Sequence, residues 1–166
     1  MSVNPKKIIL GIDPGIADTG IGIIDASAGN ISCVHYESLR TKSTDPLSVR
    51  LGQLHEALVR TIGKYQPDIA AIEQLFFCNN AKTAIVVGQA RGVALLALSQ
   101  AGVPTYEFTP LQVKQAVSTY GKADKAQVQR MVKLLLRLEK LPQPDDAADA
   151  LAIAICAANE KLQKTI

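Results

Sequence analysis

The sequence predicts an α/β fold in which three antiparallel strands precede parallel strands that are joined by helices. Three strand-like segments with turn residues between them open the chain, at residues 6–12, 20–24 and 31–39. Helical and strand-like segments alternate after them, as they do where helices cross between parallel strands. We therefore expect a five-stranded mixed sheet flanked by helices.

The first predicted helix covers residues 46–65, because its apolar side chains recur at spacings of three and four. These are Leu47, Leu51, Leu54, Leu58 and Ile62. Residues 69–73 form a short, nearly all-apolar strand after Pro67 and Asp68. Such a strand is typical of a central position in a sheet that is covered on both faces.

A long helix, apolar nearly all round, is predicted from residue 80 or 81 to 101, where Gly102 and Pro104 end it. A fifth strand follows at 105–108, and Pro110 suits the first turn of another helix. Helices at 125–138 and 145–161 complete the chain. This order matches the ribonuclease H-like topology, in which right-handed crossovers place the fourth strand parallel beside the first.

Size and composition bound the possible functions. A chain of 166 residues can bury one full core but is too short for two ordinary domains, so we expect a single domain over residues 1–166. Its net charge of +3 is compatible with a polyanionic partner but does not identify one. The stretch 84–98 is interrupted by Gln89 and Arg91 and is shorter than a membrane span, so we expect no membrane segment.

The cysteines and histidines exclude two further classes of protein. Cys33, Cys78 and Cys156 are odd in number, lack CxxC spacing and follow no signal peptide, which indicates reduced thiols in a cytoplasmic protein. His35 and His55 are the only histidines, and neither has a second ligand at a zinc-site spacing. A zinc enzyme or a histidine-based triad is therefore not expected.

Four acidic residues lie where this topology would bring them together. Asp13 follows the apolar run at 8–12, and Glu73 follows the run at 69–72, so the two carboxylates are neighbours if the strands are. Asp146 and Asp149, three residues apart at the start of the last helix, share one helical face. A last helix that leans over the strand ends would complete a four-carboxylate cluster.

Crowded carboxylates repel one another and raise one another's pKa, so such a cluster usually holds divalent cations. Mg²⁺ suits these oxygen ligands, with Mn²⁺ as an alternative. Two ions about 3.5 to 4 Å apart activate a water and stabilise the leaving oxygen of a phosphodiester. The predicted chemistry is phosphodiester hydrolysis.

Each acid also has a structural interpretation. Asp13 begins a good turn sequence, and Asp145 and Asp146 could simply cap the last helix and complement its dipole. Asp149 and Glu73 are less easily explained, because each adjoins an apolar run and buried charges are usually paired or bound to metal.

Five short motifs then occur in order along the chain. They are Gly-Ile-Asp-Pro-Gly at 11–15, Ala-Ile-Glu-Gln at 71–74, Gly-Gln-Ala-Arg-Gly at 88–92, Gln-Val-Lys-Gln at 112–115 and Asp-Ala-Ala-Asp-Ala-Leu-Ala at 146–152. In order and spacing they resemble the RuvC family of Holliday junction resolvases, from about residue 7 to 156. The resemblance implies a homodimer that binds a four-way DNA junction and nicks two strands of like polarity symmetrically, in recombination and repair, with RuvA and RuvB as branch-migration partners.

The same resemblance assigns site residues. The family's catalytic, metal-binding acids fall on Asp13, Glu73, Asp146 and Asp149. Asp145 lies just outside the pattern, and the spacing to Asp149 favours Asp146 as the third ligand. The family's basic positions near the active site and the phosphate backbone fall on Lys114 and Lys125, although a lysine taken alone is more often a solvated surface charge. Lys122 and Arg130 are further candidates for phosphate contacts.

Phe76 corresponds to an aromatic that stacks on an unpaired base near the junction centre, and Phe77 could share that role. Base stacking of this kind contributes about 1 to 3 kcal/mol per base. Because adjacent side chains point in different directions, we expect one ring to be buried and the other exposed. For the dimer, we expect the helix at 81–101 to form the interface, since its apolar residues exceed what one core-facing stripe needs; burial within one domain is the alternative.

Three other classes of protein are alternatives. Asp-x-Gly after a first strand also begins the phosphate loop of actin-like and sugar-kinase ATP-binding proteins, but those need two such domains around the nucleotide. Another ribonuclease H-like nuclease, acting on structured RNA such as ribosomal RNA precursors, shares the metal chemistry but not the loop of Phe76 or the segment 88–92. A junction-binding protein without catalysis would not need all four acids.

Overall fold

A computed structural model describes residues 7–75, 80–118, 121–159 and 166 of the chain. One five-stranded sheet organises them, in the order β3-β2-β1-β4-β5. The strands are β1 (Ile8–Asp13), β2 (Asp18–Asp25), β3 (Ser32–Arg40), β4 (Ile69–Glu73) and β5 (Thr105–Phe108). The first three pair antiparallel, while β4 runs parallel to both β1 and β5. The predicted mixed sheet, with the fourth strand beside the first, is confirmed.

Five α-helices surround this sheet in the described part of the chain. They are α1 (Leu47–Tyr65), α2 (Ala81–Gln100), α3 (Pro110–Ser118), α4 (Lys125–Leu135) and α5 (Asp145–Asn159). The end of α4 differs from the expected residue 138. Arg137 adopts a left-handed conformation with φ of 53°, and the backbone N–H of Leu138 returns to the carbonyl of Lys133. The apolar pattern continues through this turn, so periodicity alone predicted a longer helix.

Each face of the sheet carries its own hydrophobic core. On one face, β-strand residues such as Leu10 and Ile12 pack against Leu54 and Leu58 of α1 and Leu98 of α2. On the other face, the core is formed by β-strand side chains with α3, α4 and the alanine-rich α5. The sheet is therefore covered on both sides, as the all-apolar β4 predicted.

The last helix lies unusually close to the sheet. A Cβ added to Gly20 would lie 1.9 Å from the carbonyl oxygen of Asp146, and one added to Gly22 would lie 2.5 Å from the nitrogen of Leu151. A Cβ at Gly11 would lie 2.1 Å from the carbonyl oxygen of Ala150. Only glycine permits such an approach of two backbones. These contacts hold the first turn of α5 over the ends of β1 and β2.

Length and composition make α2, alone among the described helices, long and apolar enough to cross a membrane. This differs from our expectation that Gln89 and Arg91 would disqualify it. In the fold, however, Ala90, Ala94 and Leu98 are buried against the core. Arg91 forms an ion pair with Glu107 of β5, with 2.9 Å between Nη2 and Oε2. These contacts pack one face of α2 against the core, while most of its other residues are exposed or half-buried.

Candidate metal centre

The sheet edge at which β1 ends carries the candidate site. Because β1 and β4 are parallel neighbours, Asp13 and Glu73 emerge at the same edge. Asp13 lies opposite Gly20, whose Cα faces α5, while the preceding Ile12 packs in the opposite core. Successive side chains of a strand alternate between faces. The carboxylates of Asp13 and Glu73 therefore project on the face that α5 covers.

Hydrogen bonds hold the turn that follows Asp13. The buried Thr19 exchanges hydrogen bonds with Gly15, since its hydroxyl donates to the carbonyl and accepts from the N–H. The hydroxyl of Thr41 donates to the carbonyl of Ile16, and the Nε of Arg50 donates to the hydroxyl of Thr41 at 2.9 Å. The backbone on the C-terminal side of Asp13 is thus fixed by neighbouring strands and by α1.

Three carboxylates converge at this edge. One oxygen each of Asp13, Asp146 and Asp149 lies within 4.8 Å of the other two. All three side chains are partly buried. Asp146 and Asp149 share a face of α5, which the glycines of β1 and β2 allow to rest over Asp13. Oxygens at this separation can bind a common divalent cation.

Glu73 lies beside this group but not within the 4.8 Å set. The charge of Glu73 contributes to the raised pKa of Asp13. Burial, and after it the charge of Asp149, raises the pKa of Glu73. The sequence therefore predicted four converging acids, of which the structure places three with oxygens within 4.8 Å of one another and the fourth beside them.

The electrostatics of the cluster are those of crowded, partly buried acids. Burial, followed by the charges of Asp149, Glu73 and Asp146, raises the pKa of Asp13 to about 8. Burial is also the main reason why the pKa values of Glu73 and Asp149 are raised. The excess of negative charge at such a site favours bound cations.

Two lysines approach the acids from the side of α3 and α4. The Nζ of Lys125 lies 3.2 Å from Asp149 and 3.5 Å from Asp145. Lys114 is near enough to Glu73 to lower the pKa of that carboxyl, against the larger effect of burial. Glu73, Asp149 and both lysines line a cavity of about 270 Å³. Both predicted basic residues therefore lie at the acidic site.

The remaining predicted polar residues lie elsewhere. Asp145 pairs with Lys125 and accepts a hydrogen bond of 2.9 Å from Gln129, outside the three-acid group. Lys122 and Arg130 line a different cleft, of about 710 Å³, between α3 and α4. The structure does not bring these two cations to the acids.

Phe76 and Phe77 fall outside the described residues, so the prediction about their rings remains a prediction. The chain on either side of them is held in place. The N–H of Gln74 donates to the carbonyl of Phe108 in β5, and the side chain of Asn80 caps the first turn of α2. A second cavity of about 270 Å³ beside Asp13 and Glu73 is lined by Gln74, Leu75 and the start of α2.

Sequence reasoning missed the residues that support the site. Gly20 and Gly22 fall within a predicted strand, and glycines on one face of a strand are a sequence signal of a close backbone approach. No sequence pattern predicts a role for Thr19, Thr41 or Arg50. The sequence does not indicate which backbone groups are contacted by a polar residue near the end of a strand.

Comparisons with known proteins place the chain in a family. The family described as crossover junction endodeoxyribonuclease RuvC matches residues 9–157. The curated protein of that name from Desulforamulus reducens is 55% identical over 151 residues, covering 91% of this chain and 93% of that protein. That from Chloroflexus aggregans is 56% identical over 149 residues, covering 90% and 91%.

Solved structures agree. The fold matches that of T. thermophilus RuvC in complex with a Holliday junction substrate, with a TM-score of 0.87 and 37% identity over 92% of this chain and 93% of that one. A yeast mitochondrial Holliday junction resolvase shares the fold at a TM-score of 0.67 and 16% identity, covering 94% and 79%. The predicted ribonuclease H-like fold and the predicted family are confirmed. This chain belongs to the RuvC family of crossover junction endodeoxyribonucleases, which are metal-dependent nucleases.

Proposed function

We propose that this chain resolves four-way DNA junctions by divalent-metal-dependent hydrolysis of phosphodiester bonds. The observation that carries the proposal is the convergence of Asp13, Asp146 and Asp149 within 4.8 Å, with Glu73 beside them, in a member of this family. The solved T. thermophilus relative is described in complex with a Holliday junction substrate. A site built from hard oxygen ligands at an open sheet edge suits phosphodiester chemistry.

The four acids are the proposed catalytic and metal-binding residues. Mg²⁺ is the proposed ion, with Mn²⁺ as a substitute and two ions in each site. When bound, the ions would supply an activated water and stabilise the leaving oxygen. The chain itself supplies the alignment, because α5 holds Asp146 and Asp149 over the fixed turn that follows Asp13. It also offsets part of the negative charge of the acids, since Lys125 pairs with Asp149.

Lys114 and Lys125 are the proposed contacts to the phosphates next to the cut. Both line the cavity that includes Glu73 and Asp149. A lysine beside an acidic centre can neutralise an arriving phosphate that the carboxylates would otherwise repel. Such contacts give affinity and salt dependence rather than base recognition. Phe76, and with it Phe77, is the proposed stacking element on unpaired bases.

A two-fold symmetric homodimer is the proposed working unit, because paired cuts need two acidic clusters and the described residues form one. The exposed apolar side chains of α2, with Ile85 and Leu96 63% and 51% exposed, support its use as the interface. We further propose that residues 1–166 form a single cytoplasmic domain without a membrane segment, and that RuvA and RuvB are its partners.

Cleavage assays with amide variants test the function. Asp13→Asn or Glu73→Gln should abolish cutting of a synthetic four-way junction in Mg²⁺ while junction binding is largely kept, since charge is lost without shape. The exposed Glu139 provides the matched control, because Glu139→Gln should cut normally. Linear duplex and structured RNA are compared as substrates. Cutting by either variant above a few per cent of wild type would remove that residue from the site, and preference for RNA would overturn the substrate.

Mixed dimers test the symmetric mechanism. One wild-type subunit joined to one Asp13→Asn subunit should nick one strand of a junction and rarely complete the paired cut. Full resolution by such dimers, or cutting by a protein that sediments as a monomer, would show that the dimer mechanism is wrong.

A further inference from the structure

Three cations lie on the flank of the acidic cluster opposite Lys114 and Lys125. Arg40 ends β3, Lys42 follows it, and Arg50 lies in the first turn of α1. We call Arg40, Lys42 and Arg50 the β3–α1 basic patch. We propose that this patch is a second phosphate-binding subsite, which holds the backbone of the cleaved DNA strand about three to four nucleotides from the cut.

The register of the sheet puts Arg40 on the same face as the acids. Asp13 pairs with Gly20, Gly20 with Ser38, and Asp18 with Arg40. Paired residues point to one face, and so do residues two apart in a strand. The side chain of Arg40 therefore projects on the α5 face, as Asp13 does. The intervening Leu39 packs against the opposite core, as this alternation requires.

Strand geometry gives the span between the patch and the acids. β3 lies two strands from β1, which corresponds to about 10 Å at the spacing of neighbouring strands. The pair of Asp18 and Arg40 lies two residues beyond the pair of Asp13 and Gly20, farther out at the sheet edge. One DNA strand places a phosphate every 3.4 Å or so along the helix axis. With two residues adding about 7 Å along the strand, the combined span is about 12 Å, which corresponds to about three to four nucleotides.

Two of the cations are oriented by the fold. The Nε of Arg40 lies 2.8 Å from a carboxylate oxygen of Asp18, which also accepts from Ser38. Arg40 nonetheless remains 71% exposed. The Nε of Arg50 donates to Thr41, which in turn holds the turn after Asp13. Fixed guanidinium groups lose little freedom when they bind phosphate.

Charge around the patch favours an anion on balance. Its three cations face two nearby carboxylates, because Asp18 pairs with Arg40 and Asp45 accepts a hydrogen bond from Gln53. Arg40, Lys42 and Asp45 also border a cleft of about 460 Å³ that opens towards α1, on the sheet face opposite to the acids. Together with Lys114 and Lys125, the patch would flank the negative cluster with positive charge on both sides, a path that a phosphodiester backbone can follow.

The subsite rests on the proposed function, because a DNA strand must cross the acidic cluster for the spacing to matter. The salt dependence of binding tests it in the absence of cleavage. Wild type and the double variant Arg40→Gln/Lys42→Gln are titrated with a labelled four-way junction in EDTA at several salt concentrations. Arg50 is left intact because it supports the turn after Asp13.

The slope of log Kd against log salt should fall by about 2 in the double variant, since each lost phosphate contact removes about 0.9. The control is Lys7→Gln/Lys64→Gln, which removes the same charge at the opposite edge of the sheet and should leave the slope unchanged. Melting curves check that all variants are folded. An unchanged slope in Arg40→Gln/Lys42→Gln, or an equal fall in the control, overturns the subsite.

A neutral methylphosphonate linkage locates the contact. Placed about three to four nucleotides from the cut, it should weaken binding of wild type and not weaken binding of the double variant further. An equal loss in both proteins would mean that the patch binds elsewhere. Cutting of the junction by wild type in Mg²⁺ is measured in parallel. Its failure would count against the proposed function, whereas an unchanged slope in a protein that cuts counts only against the subsite.

Discussion

Replacing Asp13 with asparagine should stabilise the metal-free protein at neutral pH. In the native state, burial and three neighbouring acids raise the pKa of Asp13 from 3.8 to about 8. In the unfolded chain the group ionises near 3.8. Folding at pH 7 therefore forces the carboxylate either to stay charged among like charges or to take up a proton, and both cost free energy. Asparagine carries no such charge.

The size of the effect follows from the two pKa values. Between 3.8 and pH 7 there are about three units at 1.36 kcal/mol each, so about 4 kcal/mol is the upper limit. Because the cluster shares its protons among several acids, we expect about 2 to 4 kcal/mol. For a chain of this length, that corresponds to a rise in Tm of about 5 to 15 °C.

The two pKa values also determine the direction in which the free energy of unfolding changes with pH. Native Asp13 binds its proton more tightly than the unfolded chain does, so wild-type stability should fall as pH rises from about 4 to 8 and then level off. In Asp13→Asn this fall should be smaller. Thermal unfolding in EDTA at pH 5, 7 and 8.5 measures it, with the exposed Glu139→Gln as a control that should match wild type.

Adding Mg²⁺ should make wild type more stable than Asp13→Asn. A ligand at 100 times its Kd stabilises the native state by about 2.7 kcal/mol, and wild type should gain far more than Asp13→Asn. The reasoning is refuted if metal-free Asp13→Asn melts at or below the wild-type temperature throughout this pH range, or if Mg²⁺ stabilises both proteins equally.

Three further predictions follow from the site. Gly20→Ala should destabilise the protein by about 1 to 3 kcal/mol and weaken Mg²⁺ binding, because its Cβ would collide with the carbonyl of Asp146; normal melting and normal Mg²⁺ titration would contradict this. Phe76→Ala should impair junction cleavage more than stability, whereas a buried ring would cost about 3 to 5 kcal/mol; melting Phe76→Ala beside Phe77→Ala decides between the rings. Lys125→Gln should shift the pH profile of cleavage to higher pH, because Lys125 lowers the pKa of the Asp149 carboxyl; an unshifted profile would argue against the pairing of these two residues.

Local sequence patterns predicted much of the fold and of the candidate site. The bounds of β4 and β5 were predicted to the residue, because turn residues precede both strands, Pro67 and Asp68 before β4 and Gly102 and Pro104 before β5. Asp13 and Glu73 were identified because each follows an apolar run, and their strands proved to be parallel neighbours. The family was identified from motifs that span most of the chain. The local sequence pattern is enough to predict the position of a residue when that position depends on one strand or helix, or on one crossover between consecutive strands.

Other features depended on contacts between distant segments. Periodicity extended α4 to residue 138, but a backbone reversal at Arg137 ends it earlier. The sequence predicted four converging acids without distinguishing Glu73, which lies beside the group of three. It offered Lys122 and Arg130 as further phosphate contacts beside Lys114 and Lys125, but the former two line a different cleft, whereas Lys125 reaches the acids.

By itself, the sequence determined the order and approximate bounds of the strands and helices, and which carboxylates lie at their ends, because hydrophobic period and turn chemistry act over a few residues. Only the tertiary structure decided how close those carboxylates come. That distance depends on α5 resting directly on Gly11, Gly20 and Gly22, and on Thr41 and Arg50 holding the turn after Asp13. Such contacts join segments far apart in the chain, where close packing and hydrogen bonding, rather than local pattern, set positions to within an ångström or so.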